Sequence, residues 1–169
     1  EKYVPATFEM ATLATIFSIL FGLLFGMISA ARHNKLSDHV LRVVSLMGIS
    51  IPAFWLSILT LYVFYLKLGV LPGSGRVGTE WLGAVFPTGF LIRDAIVCGE
   101  MGLLKDALSH LVLPSFVLSA STVGILTRTV RSSMLEVLQQ DYLRTAKAKG
   151  LSENRIMFHH VLKNGLIPS

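Results

Sequence analysis

The chain has 169 residues, of which 53% are hydrophobic and only 15% are charged, and its net charge at pH 7 is +5. So apolar a composition excludes an ordinary soluble domain and indicates a membrane protein. The single cysteine, Cys98, excludes an intramolecular disulfide and a CxxC metal site. Because no initiator methionine opens the chain, we expect a fragment of a longer protein.

The first uncharged run covers residues 10–31. A bilayer is crossed by about 20 apolar residues, so the run predicts a transmembrane helix. A secretory signal peptide is the competing interpretation, but no basic flank precedes the run. Gly22, Gly26 and Ala30 recur every four residues, a spacing that allows a second helix to pack closely. The same spacing also arises where glycines are merely frequent, so a packing role for Gly22 and Gly26 is one of two alternatives.

The second uncharged run covers residues 43–66 and contains Pro52. A membrane helix tolerates such a proline with a kink when neighbouring groups satisfy the freed carbonyl. An external loop is predicted at 67–106, and it opens with a cluster of turn residues. Its apolar part, 81–104, is either a surface helix or a plain connector. The third predicted span is 107–127, in which Pro114 is a kink site and His110 is expected near the membrane surface.

The basic residues predict the orientation of these spans. Residues 32–42 hold three Lys/Arg against one acid, and residues 128–169 hold seven against three, whereas 67–106 balances four with four. The positive-inside rule therefore places the first two segments in the cytoplasm and the loop outside. Three spans, with the N-terminus out and the C-terminus in, satisfy this pattern. The basic charge is thus explained by topology, and nucleic acid is not an expected partner.

The sequence contains no motif that indicates a catalytic, nucleotide-binding or metal site. The three predicted spans contain no charged residue, and the chain has no P-loop, HExxH or GxSxG motif. We therefore expect no enzymatic activity, no metal site and no cofactor bound by this chain. Hydroxyl side chains in the spans are candidates for lining a polar pathway, although hydrogen bonding to the backbone or packing between helices better explains any single one of them: Ser50, Ser57, Ser119 and Thr122.

The basic stretch 141–168 follows the last span and predicts two short helices hinged at Gly150. Asp141 suits the N-cap of the first helix, and Gly150 suits the residue after its end, where a positive φ is needed. Ser152 suits the N-cap of the second helix. From the residues alone, docking on anionic lipid and docking into a groove of another protein are equally supported.

Several motifs resemble the permease subunits of bacterial ABC importers, in particular the dipeptide, oligopeptide and nickel family. Residues 142–151 (YLRTAKAKGL) are similar to the EAA loop of that family. Further similarities are spread over the rest of the chain: Pro52-Ala53-Phe54-Trp55, Leu71-Pro72-Gly73-Ser74-Gly75, His110-Leu111-Val112-Leu113-Pro114, and Arg128, Arg131 and Met134. Arg144 and Thr145 depart from the general EAA pattern but are usual in this subfamily.

The resemblance implies an all-α, type-I ABC-importer-like transmembrane domain in the bacterial inner membrane, with cytoplasmic coupling helices within 128–169. It implies half of a translocation pathway for peptides or a related small solute such as glutathione, nickel or a sugar. The implied partners are a second permease subunit, cytoplasmic ATPase subunits that bind ATP and Mg, an extracytoplasmic solute-binding protein and membrane lipid. The residues implied to couple to the ATPase are Tyr142, Leu143, Arg144, Thr145, Ala146, Lys147, Ala148, Lys149 and Gly150. The alternative is a non-transport membrane protein whose basic hairpin binds anionic lipid.

Overall fold

A computed structural model describes residues 3–81, 83–84 and 86–140 of the chain. Within these residues every regular element is helical and none is a strand, which confirms the all-α class. The α-helices are α1 (Val4–Ala31), α2 (Leu36–Ser50), α3 (Ala53–Thr60), α4 (Leu91–Cys98) and α5 (Met101–Leu138). A π-helical segment, Leu61–Lys67, continues α3, and a short 3₁₀ turn covers Thr79–Trp81.

Two helices, α1 and α5, are each long and apolar enough to cross a membrane. Helix α1 contains the predicted span 10–31 but begins earlier, so that Glu9 lies inside the helix. Helix α5 contains the predicted span 107–127 and is longer at both ends, and Pro114 lies within it without ending it. The predicted external loop 67–106 is therefore shorter than expected, because its last residues already belong to α5.

The predicted span 43–66 differs from the structure, which divides this stretch into two helices. Helix α2 ends at Ser50, and Pro52 adopts an extended conformation (φ −60°, ψ 135°) immediately before α3. A proline has no N–H for the helix ladder, and its ring collides with the preceding turn, which kinks or breaks a helix, and here the helix is broken. The described residues thus provide two spans, or three if the interrupted pair crosses the membrane as one.

The described residues form two compact units, and α1 and α5 each contribute to both. The first unit contains residues 3–17 and 51–120, and the second contains residues 18–50 and 121–140. In the first unit the buried apolar side chains come from α1, α4 and α5: Ala14, Leu91, Ala95, Leu103, Ala107 and Leu113. The hydroxyl of Ser115, on α5, donates to the main-chain oxygen of Met10, on α1, at 3.2 Å.

In the second unit, small residues of α1 lie directly against α5. A Cβ added to Gly22 would lie 2.6 Å from the Cβ of Leu126, and one added to Gly26 would lie 2.7 Å from the Cβ of Val130. These separations are shorter than van der Waals contact, so the two helices approach too closely for a larger side chain. Beyond them Ala30, Val130 and Met134 form the buried core of the unit.

Candidate functional site

Buried carboxylates show where charged groups hold segments of this apolar chain together. Among the described residues Glu9, Asp38 and Asp94 are each less than a tenth exposed. Burying a charge is costly unless the group is paired and hydrogen-bonded. The partners of each carboxylate therefore show which segments the charge holds together.

Asp38, in the first turn of α2, is the most completely enclosed of the three, with no exposed surface. The guanidinium of Arg131, on α5, donates to both of its oxygens, from Nε to Oδ1 at 2.8 Å and from Nη2 to Oδ2 at 2.9 Å. The Ser29 hydroxyl, on α1, donates to Oδ1 at 2.5 Å, and the Asn34 main-chain N–H donates to Oδ2 at 3.0 Å. The guanidinium of Arg42 lies 3.6 Å from Oδ1. We call Asp38, Ser29, Asn34 and Arg131 the helix clamp.

The helix clamp joins α1, α2 and α5 at one point of the second unit. Asn34 has a positive φ of 61°, a conformation that asparagine tolerates better than most residues, and this turn directs its N–H towards Asp38. A bidentate Arg–carboxylate pair fixes geometry as well as charge. Arg131 stands seven residues before the end of α5, the helix that precedes the segment 141–150. The clamp therefore fixes the part of α5 that leads to this segment.

Glu9 anchors the loop that precedes α4 in the first unit. Its Oε1 accepts the main-chain N–H of Ile92 at 2.8 Å, and its Oε2 accepts a bond from Nη2 of Arg76 at 3.1 Å. The same nitrogen of Arg76 donates to the Gly89 carbonyl at 2.8 Å. The N–H groups of a helix's first turn have no partner within the helix, so a carboxylate near them stabilises the helix start. We call Glu9 and Arg76 the loop anchor, since together they attach the loop and α4 to α1.

Asp94 stabilises the turn that leads into α4. The Thr88 hydroxyl donates to its Oδ1 at 2.6 Å, and the Thr88 main-chain N–H donates to its Oδ2 at 3.1 Å. The hydroxyl bond holds the pKa of the Asp94 carboxyl below its usual value, and it outweighs burial, which raises the pKa. Asp94 is therefore a charged structural group.

His110 lies between two cavities of the first unit, with its side chain only 6% exposed. Its Nδ1 lies 2.9 Å from the main-chain oxygen of Asp106, and the Asp106 carboxylate accepts the N–H of Gly78 at 2.6 Å. A carbonyl oxygen only accepts, so this contact is a hydrogen bond that Nδ1 donates. One cavity, of about 270 Å³, is also lined by Ser57, Thr60, Pro72, Gly73 and Ser74. The other, of about 200 Å³, is also lined by Tyr3, Thr7, Glu9 and Arg76.

The four hydroxyls suggested for a pathway have different environments. Ser57 lines the larger cavity beside His110. Ser119 is buried and donates to the Phe116 carbonyl at 2.9 Å, so its hydroxyl is hydrogen-bonded to the main chain of its own helix. Ser50 and Thr122 are exposed. Residues 142–150, suggested for ATPase coupling, lie outside the described residues, as does the hairpin of the lipid-binding alternative.

Sequence reasoning missed the helix clamp and the loop anchor. Glu9 stands one residue before the uncharged run 10–31, so its inclusion in the helix was the available signal. Asp38 is the only acid in the basic stretch 32–42, which suggests a local charge pair. Its partner Arg131 is 93 residues away, however, and no spacing within the sequence identifies it.

The chain is similar to a known protein family and to several permease proteins. Residues 22–169 match the family described as binding-protein-dependent transport system inner membrane component. The chain is 44% identical over 165 residues to the di/tripeptide transport system permease protein DppB of Pseudomonas aeruginosa, covering 97% of this chain and 48% of that protein. It is 42% identical over 168 residues to the probable D,D-dipeptide transport system permease protein DdpB of Escherichia coli, covering 99% of this chain and 49% of that protein.

A more distant relative is the oligopeptide transport system permease protein AppB of Bacillus subtilis. The two are 36% identical over 165 residues, which cover 98% of this chain and 46% of that protein. The chain thus spans about half the length of the curated relatives it matches.

Proposed function

Because the chain belongs to the family of binding-protein-dependent transport system inner membrane components, we propose that it forms half of the translocation pathway of an ATP-driven importer that carries peptides. The observation that carries the proposal is the family match over residues 22–169, which includes the EAA-like segment 142–151. The relatives named for di/tripeptide, D,D-dipeptide and oligopeptide transport favour peptides among the solutes that such permeases carry.

The proposed assembly contains this permease, a second permease subunit, cytoplasmic ATPase subunits and an extracytoplasmic solute-binding protein. ATP and Mg would be bound by the ATPase subunits. The chain's own contribution is to hold a pathway and to move it when the ATPases close. Coupling of this kind requires an element with two arrangements, each favoured by one state of the ATPase.

Helix α5 is the element best suited to pass that movement along the chain. Its 38 residues correspond to about 57 Å of continuous helix at 1.5 Å per residue. Within the first unit it carries His110, which lines two cavities, and within the second it carries Arg131 of the helix clamp. A displacement applied after the end of α5 would act first on the part of this helix that carries Arg131 of the helix clamp.

The test uses the full-length permease assembled with its partner subunits in proteoliposomes. Peptide-stimulated ATP hydrolysis and uptake of a labelled dipeptide are measured for wild type, Ala146→Asp and Gly150→Pro. We expect both variants to insert into the membrane but to lose ATPase co-purification and uptake, because the docking helix and its hinge are altered. Ala84→Asp, the same substitution at an exposed loop position, is the matched control and should transport normally.

Two results would contradict the proposal. One is normal ATPase binding and dipeptide uptake by both coupling variants. The other is binding of the wild-type hairpin to liposomes in proportion to their anionic lipid, with no ATPase co-purifying, which would favour the alternative of a lipid-binding membrane protein.

A further inference from the structure

A cavity of about 190 Å³ lies between α2 and α5 in the second unit. It is distinct from the cavities around His110 and is larger than a single water molecule needs, which is ~30 Å³. Its lining includes three arginines (Arg42, Arg128 and Arg131), two aliphatic side chains (Leu46 and Ile49) and two hydroxyls (Ser45 and Thr127).

The charge of this cavity is positive. Among the described residues no acidic side chain lines it, and the carboxylate of Asp38 is bound bidentately by Arg131, one of the lining residues. Arg42 contacts the His39 ring at 2.7 Å and keeps 43% of its side chain exposed. Arg128 is exposed and has no ion pair with any described residue. One carboxylate against three guanidinium groups leaves an excess of about two positive charges, which suits an anion with phosphate oxygens.

The hydroxyl of Thr127 is a second, independent indication of a ligand. Thr127 is 2% exposed, and its Oγ1 is a buried polar atom without a hydrogen-bond partner among the described residues. Leaving a buried hydroxyl unsatisfied is unfavourable. A polar ligand seated in the cavity that Thr127 lines would supply the missing partner.

The position of the arginines indicates what kind of anion binds. Arg42 immediately precedes the apolar run 43–66, and Arg128 immediately follows the run 107–127, so both belong at the depth where phospholipid headgroups lie. Leu46 and Ile49 line the same cavity and are 53% and 36% exposed, respectively, which offers apolar surface to an acyl chain. A free phosphate ion would gain nothing from these two side chains.

We propose that this cavity binds the phosphate of an anionic phospholipid, with Arg128 and Arg42 on its oxygens, the Thr127 hydroxyl as a further donor and the acyl chain along Leu46 and Ile49. Basic pockets between membrane helices bind anionic headgroups in this manner. A zwitterionic lipid fits less well, because its ammonium group would face the arginines. The proposal stands apart from transport, since lipid binding is measured without substrate or ATP.

The test is a lipid titration of the full-length permease complex, followed by native mass spectrometry. Phosphatidylglycerol and phosphatidylethanolamine with identical acyl chains are compared. We expect phosphatidylglycerol to bind preferentially and Arg128→Gln to weaken its binding about five- to tenfold, as expected for one arginine at a membrane surface. Arg32→Gln is the matched control, since Arg32 is exposed in the turn after α1 and does not line the cavity, and it should change binding less than about twofold.

The variant Thr127→Val distinguishes a ligand site from an empty cavity, because it replaces the hydroxyl that has no hydrogen-bond partner with a methyl group of similar size. A ligand site predicts weaker phosphatidylglycerol binding by this variant, together with an unchanged or higher Tm in phosphatidylethanolamine alone. The proposal is overturned if neither cavity variant alters phosphatidylglycerol binding, or if Arg32→Gln weakens it equally. It is also overturned if inorganic phosphate at the lipid's concentration displaces the lipid completely, which would assign the site to a free anion.

Discussion

The helix clamp and the loop anchor use the same pair of groups, a buried carboxylate and an arginine, for different purposes. Asp38 receives four hydrogen bonds, and the side chains that join it come from α1 and α5. Glu9 receives two, and the guanidinium that binds it belongs to a loop residue, Arg76, whose side chain is 38% exposed. The structural effect of such an ion pair therefore depends on which elements carry its partners. The pair of Asp38 holds three helices together, whereas the pair of Glu9 attaches a loop to a helix.

The largest effect is expected from breaking the helix clamp with Arg131→Met. Asp38 would stay buried with only the partly exposed Arg42 guanidinium, 3.6 Å away, as counter-charge, and losing the bidentate partner of a buried carboxylate costs about 3–5 kcal/mol of unfolding free energy. Thermal unfolding of the purified protein in detergent measures the loss. Arg128→Met, one turn away on an exposed side chain, should change stability by less than about 0.5 kcal/mol.

The double variant Asp38→Asn with Arg131→Met tests the cause of that loss. Neutralising the acid removes the buried charge, so the double variant should be more stable than Arg131→Met alone. Equal stability of Arg131→Met and Arg128→Met would show that the clamp does not hold the second unit together.

The next effect concerns the close helix contact in the same unit. Gly26→Ala places a Cβ 2.7 Å from the Cβ of Val130 and 3.1 Å from the main-chain oxygen of Thr127, so the helices must separate. We expect a loss of about 1–3 kcal/mol, as for other overpacked positions. Gly102→Ala is the control, because its Cβ would meet Trp81 at an ordinary 3.4 Å. If the two alanine variants unfold at the same temperature, α1 and α5 are not held by this contact.

Breaking the loop anchor should have a more local effect than breaking the helix clamp. Arg76→Gln leaves Glu9 with its bond from the Ile92 N–H but without the guanidinium, at a cost of about 1–3 kcal/mol. Hydrogen exchange is the appropriate measurement, since the loss should appear in α4 and the loop while the exchange of α2 stays unchanged. Faster exchange throughout both units would remove the distinction between clamp and anchor.

The smallest effect is a pH dependence within the first unit. The pKa of Asp94 is lower in the folded protein than its ordinary value of about 3.9, so its contribution is fully present above that value and is lost as pH falls through the folded pKa. Thr88→Val removes the hydroxyl bond, raises the folded pKa and should shift acid-induced opening of α4 to higher pH. The change is followed by hydrogen exchange of α4, with Thr7→Val as the control because Thr7 donates to a main-chain carbonyl. Identical acid profiles for the two variants would contradict this assignment.

The positions of the long apolar helices were predictable because they depend on short runs of neighbouring residues. Uninterrupted apolar stretches predicted the helices that became α1 and α5, since a bilayer selects for length and hydropathy. Pro52 marked the correct place of an irregularity, but a kink was predicted where the structure has a break. The choice between the two depends on which neighbours satisfy the freed carbonyls, and these neighbours are distant in sequence.

The functional conclusion also rested on local patterns. The EAA-like segment 142–151, with the further motifs along the chain, suggested the permease family, and the match over residues 22–169 then showed it. The spacing of Gly22 and Gly26 marked a face of α1 on which small residues recur. Only the three-dimensional arrangement identified α5 as the helix beside that face.

By itself the sequence determined that this is a helical membrane protein of a transport family, because apolar length, charge distribution and contiguous motifs are properties of neighbouring residues. Only the tertiary structure decided how the few buried charges are used. Asp38 pairs with Arg131 over 93 positions, and Glu9 pairs with Arg76 over 67. A buried carboxylate must find partners, but the sequence does not state which ones, since the partners are chosen by the packing of helices that meet only after folding.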